Sequence, residues 1–301
     1  MSLWIPITLA AAVFQTLRFM LQKSLSTTKL SAAGATFARF AYSAPLVLAL
    51  LALYLWTSGR SLPPLGGVFW VYAAIGGLAQ ILATICVVAL FKQRNFAVGI
   101  TFKKTEVIQT ALVGFIVLGE GVSAGGFAAI LLGLVAVLLL SRTPGGAGGS
   151  WVQHLTNRAS VLGLGSGVLF AFSAVSYRGA SLQLGDLEPA LRAAITLACV
   201  VTLQAVAMLA WLGLRDRAEL RAVWATRRVA VWVGLFSMAG SFCWFFAFTL
   251  QNAAYVKALG QVELILSLLA SVLFFREKVS GREIGGMALL GVSILLLVLA
   301  I

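Results

Sequence analysis

Long apolar runs, broken by short charged or Gly/Pro-containing segments, recur along the whole chain. They place apolar helices at 3–22, 32–56, 68–91, 97–118, 124–141, 160–182, 188–213, 229–250, 254–275 and 284–301. Each is near the length of about 20 residues that crosses a bilayer. None alternates as a barrel strand would, so all ten are predicted to be membrane-spanning helices that satisfy their own backbone groups. The stretch from Trp4 has no basic n-region and no small-residue cleavage site, and is expected to be the first span rather than a removable signal. The longest polar break, SRTPGGAGGSWVQHLTNR from Ser141 to Arg158, has the glycine content of a flexible linker. It divides the chain into a first five-helix unit over 1–141, a linker over 142–158 and a second five-helix unit over 159–301.

The two units repeat. With a constant offset of 157, the stretch from Phe96 to Leu140 aligns with Ala253 to Leu297, so that Glu106 matches Glu263, Thr110 matches Ser267, Glu120 matches Glu277 and Val122-Ser123 matches Val279-Ser280. At slightly different offsets Lys23 answers Arg178, Arg39 answers Arg192 and Trp70 answers Trp232. Five crossings is an odd number, so consecutive copies lie upside down relative to each other. That is the inverted-topology repeat of many secondary transporters, whose substrate site lies near the midplane between the repeats.

Composition agrees and narrows the class. Of 301 residues, 61% are hydrophobic and 10% charged, with a mean hydropathy of +1.01, far from the roughly 25% charged of soluble domains. The net charge of +13 comes from 22 Lys and Arg against 9 Asp and Glu. In a polytopic chain this reports orientation and attraction to anionic lipid before it reports a nucleic acid partner. Fourteen basic residues fall in odd-numbered loops, while on the even side there are only Arg60, in a loop, and Arg178, at the end of the sixth span. The odd loops are therefore predicted to be cytoplasmic and both termini outside. Cys86, Cys199 and Cys243 lie in apolar runs without C-x-x-C spacing, His154 is the one histidine, and Asp186 and Asp216 are the two aspartates. Neither a metal cluster nor a Ser-His-Asp triad can be assembled from that set, and no cofactor is expected.

Besides Arg178 and Glu188 near span ends, eight charged residues fall inside the predicted spans: Arg18, Arg39, Lys103, Lys104, Glu106, Arg192, Lys257 and Glu263. A charge at the bilayer centre costs about 2.5–3.5 kcal/mol even on insertion scales, so such residues face a cavity or a partner. Lys104, Lys257 and Arg18 lie close enough to span ends for snorkelling to the headgroups to stand as the alternative. Glu106 and Glu263 lie deeper, at one repeat position, and are the central site candidates. Lys103 is at i,i+3 to Glu106, whereas Gly260 stands at the matching place before Glu263. Glu263 is thus expected to be the protonatable coupling group and Glu106 to be held ionised by Lys103. The competing expectation is a permanent lock, in which both carboxylates pair with Arg39, Arg192 or the lysines. Six cations against two anions favour an anionic or zwitterionic cargo. Gln15, Gln80, Gln109 and Gln261 add hydrogen-bonding groups that serve as ligand contacts or as interhelical glue. The run FCWFFAF, Phe242 to Phe248, offers a cavity wall around Trp244 or, more simply, lipid-facing and core rings. Glu120 and Glu277 mark tight turns, Ser280 and Glu283 have capping-box spacing, and Gly121/Gly125, Gly163/Gly167 and Gly281/Gly285 have the small-xxx-small spacing of close helix packing.

Ten spans in a five-plus-five repeat, with LGEGVS (Leu118 to Ser123) and FREKVS (Phe275 to Ser280) ending each fourth span, resemble the drug/metabolite transporter superfamily, EamA type. The glycine-containing last spans, ILLGLVAVLLL and GMALLGVSILLLVL, and Arg39 in FARFAYSAPLVLAL add to the likeness. One position departs from it: family members commonly carry a proline about fourteen residues before the turn glutamate, where this chain has Glu106 and Glu263. The resemblance implies a carrier in the bacterial inner membrane that moves small metabolites, often amino acids or toxic compounds, usually outward. Two other classes remain on sequence grounds: an intramembrane enzyme acting on lipid-linked substrates, and a non-transporting receptor or assembly subunit, which needs no symmetric buried charges. No G-x-x-x-x-G-K-[ST] loop is present to power a primary pump. Two five-helix halves complete a pathway within one chain, so a monomer is expected, with a homodimer as the alternative.

Overall fold

The computed structural model describes residues 2–90, 103–141, 158–266 and 281–300. Every regular element among them is helical: α1 (Trp4–Thr28), α2 (Ala32–Ser58), α3 (Gly67–Leu90), α4 (Glu106–Leu118), α5 (Ala124–Ser141), α6 (Arg158–Leu182), α7 (Pro189–Arg215), α8 (Arg217–Ala225), α9 (Arg227–Leu250), α10 (Ala253–Leu259) and α11 (Gly281–Leu299). Six of them, α1, α2, α3, α6, α7 and α9, are long and apolar enough to cross a membrane, and α4, α5 and α11 are shorter apolar helices. Large apolar side chains on their outer surfaces are bare, Leu214, Leu299 and Ile116 among them. Trp56, Trp70, Trp211 and Trp232 are exposed near helix ends, where interfacial tryptophans belong.

Local chemistry sets the helix ends. Ser31 starts α2 by accepting the Gly34 N–H at 3.0 Å, and Gly59, with φ of 64°, ends it in the left-handed conformation that glycine adopts without a Cβ penalty. Pro189 opens α7 where its missing N–H is not needed. The principal packing joins residues before the linker to residues after it: α3 lies on α6, α1 on α9, α5 on α11, α4 on α6, and α2 on both α9 and α7. The core is therefore shared between the two parts of the chain.

Two sequence expectations are corrected here. The spans predicted over 97–118 and 254–275 are not continuous helices. A turn at Lys104 and Thr105 precedes α4, and a turn at Gly260 and Gln261 separates α10 from the helical residues 262–266. On a regular helix Lys103 and Lys104 would diverge by about 100°; the turn lets both reach the same interior. The breaks fall within a residue of the same register in the 157 offset, directly before Glu106 and one residue short of Glu263. Residues 97–102, 142–157 and 267–280, with the linker, Glu277 and Ser280, lie outside the described residues.

The second correction is α8, in a stretch that reads as an arginine-rich loop. Asp216 caps it by accepting the Glu219 N–H at 3.1 Å, and that Asp-x-x-Glu spacing was the available signal. Val223 is buried, whereas Arg217, Arg221 and Trp224 are exposed. Glu219 reaches across to α2, where its Oε1 accepts the Ser31 N–H at 2.7 Å. The carboxylate thus sits at the positive end of α2, against Gly34, where any Cβ would run into it. Glu219→Ala is expected to cost about 1 kcal/mol, the usual worth of such a cap, with Glu219→Gln intermediate. Thermal unfolding in detergent checks this, and an unchanged melting temperature for Glu219→Ala would refute the cap.

Candidate functional site

The helix breaks gather five of the charged residues into one buried cluster. Lys103, Lys104, Glu106, Glu263 and Lys257 are between 3% and 9% exposed. Snorkelling is therefore excluded for Lys104 and Lys257, and Arg18 is equally buried. Lys103 Nζ lies 3.6 Å from Glu106 Oε1 and 3.7 Å from Glu263 Oε1, midway between the two carboxylates. Lys257 Nζ stands 3.8 Å from Glu106, and Lys104 pairs directly with Glu263. Glu263 Oε2 accepts the Gln15 side-chain N–H at 2.5 Å, and Gln15 Oε1 in turn accepts the Trp244 indole N–H at 3.1 Å.

This pairing alters the contrast drawn from local spacing. Gly260 does leave Glu263 without a cation on its own helix, but Lys104 and Lys103 arrive from the other part of the chain. Both Glu263 oxygens are engaged, while Glu106 Oε2 has no hydrogen-bond partner among the described residues. Glu263 is not the unpaired carboxylate. The partners are lysines, as one branch of the locked-pair expectation had it, and not Arg39 or Arg192.

Beside the cluster is a cavity of about 30 Å³, room for a water molecule or two, with Arg18, Arg39 and Lys257 on its wall. Arg39 donates to three hydroxyls: Nε to Ser237 at 2.8 Å, and its terminal nitrogens to Thr84 at 3.1 Å and Ser241 at 3.2 Å. Lys257 Nζ is ringed by Trp244, Phe170 and Phe248 at 5.0, 5.3 and 5.9 Å from their centroids, close enough for cation–π attraction. Trp244, Phe245 and Phe248 of the aromatic run converge on this wall, whereas Phe242 turns to a separate apolar cavity of about 390 Å³ between α2, α7 and α9. That larger space offers almost nothing to orient a polar solute.

The remaining candidates divide. Gln15 and Gln80 line the polar cavity, Gln80 accepting from Gln204 at 2.9 Å. Gln261 is buried away from that wall, with Oε1 unpartnered among the described residues. Arg192 is not brought to the cluster: near the start of α7, it donates to the carbonyls of Ser181 and Gly185 and closes the end of α6. Glu120 does more than mark a turn, since both its oxygens accept from Arg178 Nε at 2.7 Å. Sequence reasoning missed Thr84, Ser237, Ser241, Tyr177 and Gln204; only their polarity within apolar runs pointed to them.

Residues 157–299 match the EamA-like transporter family. No curated protein sequence matches the chain. Among 29 matching chains of solved structures is a crystal structure titled only as that of a protein, with a TM-score of 0.70 and 16% identity, covering 98% of this chain and 96% of that one. At that identity the likeness is one of fold, and it extends over nearly the whole of both chains.

Proposed function

We propose, on the premise that residues 157–299 match the EamA-like transporter family, that the chain is a secondary carrier exporting small anionic or zwitterionic metabolites across the bacterial inner membrane. Ten spans form two inverted five-helix units, 1–141 and 159–301, joined by the glycine-rich 142–158, and the units alternate access to a site between them. Both termini face outward, and one chain suffices. The observation that carries this reading is that the buried pairs cross between the units: Lys103 and Lys104 to Glu263, Lys257 to Glu106. Relative motion must break and remake them, and Lys103, midway between two carboxylates, exchanges partners without passing through an unpaired state. Coupling is assigned to Glu263, because protonating it would release Lys104, Lys103 and the Gln15 contact together.

Reconstituted protein with an imposed pH gradient tests this. Gradient-driven flux of a small carboxylate is expected in wild type. It should be lost in Lys104→Met/Glu263→Gln, a variant that removes the coupling group without stranding its partner. Gradient-driven flux that survives the double variant would overturn the coupling role, and absence of flux in wild type for every carboxylate and amino acid tried would overturn the carrier.

A further inference from the structure

The cavity wall distinguishes two kinds of cargo that the charge count leaves together. Its charged residues are Arg18, Arg39 and Lys257, and among the described residues that line it there is no Asp or Glu. Glu106 and Glu263, the nearest carboxylates, are occupied by the three lysines. Among the described residues, five buried cations thus face two anions, a surplus of three. Arg39 spends its donors on neutral hydroxyls, and Arg18 is 3% exposed with a buried Nε that has no hydrogen-bond partner among the described residues. Buried charge without a counter-charge is costly, so the site is built to be completed by an anion.

An ammonium group would find the opposite of what it needs. On the wall it would meet three cations, no carboxylate, and aromatic faces already taken by Lys257; Glu106 Oε2, unpartnered among the described residues, lies off that wall on a carboxylate already paired with Lys103 and Lys257. We infer, building on the carrier reading above, that the cargo is an organic carboxylate without an ammonium group, its anionic end held by Arg18, Arg39 and Lys257 and its apolar body laid against Phe236 and Phe245 of the same wall. Zwitterionic amino acids are then poor substrates. The narrow cavity accepts the carboxylate end only when the two parts of the chain move apart.

Phenylpropanoate, phenylalanine and phenylpropanamide share one body and differ in charge, so they test the inference on wild-type protein alone. Binding is read as a shift in melting temperature in detergent, and transport as uptake into liposomes. Phenylpropanoate is expected to bind and move at least about tenfold better than the other two, the margin of one charged hydrogen bond. Arg18→Gln and Lys257→Met should each erase about that margin. Equal or better binding of phenylalanine or the amide overturns the inference, as does binding of none of the three. Phenylpropanoate that binds selectively but is not transported supports the site and overturns the carrier reading instead, so the two failures are separable.

Discussion

Glu263→Gln destabilises the fold by about 3–5 kcal/mol, the range for breaking a buried ion pair from one side. The substitution leaves Lys104 with no carboxylate and removes one of two from Lys103, raising the buried cation surplus, with Arg18 and Arg39 counted, from three to four among the described residues. Lys104→Met is expected to cost much less. It lowers the surplus to two, and Glu263 keeps Lys103 at 3.7 Å and the Gln15 hydrogen bond. The asymmetry is the diagnostic part: in a balanced cluster both single variants would be comparably damaging. Combining the two substitutions is expected to recover most of the loss, because residues in direct contact show coupling of about 0.5–3 kcal/mol in double-mutant cycles. Unfolding of the four proteins in one detergent measures the cycle. Additive effects, or a Lys104→Met variant as unstable as Glu263→Gln, would show that this pair is not what neutralises the interior.

The helices and the cluster were legible to different degrees, for reasons of range. Span positions follow from apolar run length, and both ends of α2 and α9, the start of α3 and the end of α6 lie within two residues of expectation. The in-span charges were visible for the same reason, since a Lys or Glu in an apolar run has no inexpensive place to go except a cavity or a partner. Pairing was not visible. Local spacing links Lys103 to Glu106, but nothing in the sequence near Glu263 announces Lys104, 159 residues away. The helix breaks were hidden too, because neither carries the proline that ordinarily marks one. Arg192 was misplaced by repeat logic: it occupies the position answering Arg39, yet four residues into α7 it is close enough to the preceding turn to satisfy carbonyls there. A matching sequence position, here at an offset of 153, thus did not fix the surroundings of the side chain.

Gly260 shows why those surroundings differ, and it carries the second large effect. In the sequence alignment at an offset of 157 it matches Lys103, so an exact sequence repeat would place a lysine there. Its φ of −60° is ordinary helical backbone, which any residue adopts, so the demand for glycine is steric. A Cβ at this position would collide with Trp244 Cη2 and lie 3.2 Å from Trp244 Cζ3 and from the Val256 carbonyl oxygen. Trp244 cannot yield freely, because its indole N–H is bonded to Gln15, which also positions Glu263. Gly260→Ala is therefore expected to cost about 1–3 kcal/mol as an overpacked core site, and to lower transport by displacing the aromatic wall. Gly260→Lys should cost more, since the longer side chain brings a further cation into a cluster that already has too many. Trp244→Leu on the Gly260→Ala background should return part of the stability but not the transport, because the ring itself forms the wall beside Lys257. A Gly260→Ala protein that melts and transports like wild type would mean that Trp244 moves aside at no cost, and that the difference between the surroundings of Glu106 and Glu263 does not originate in this contact.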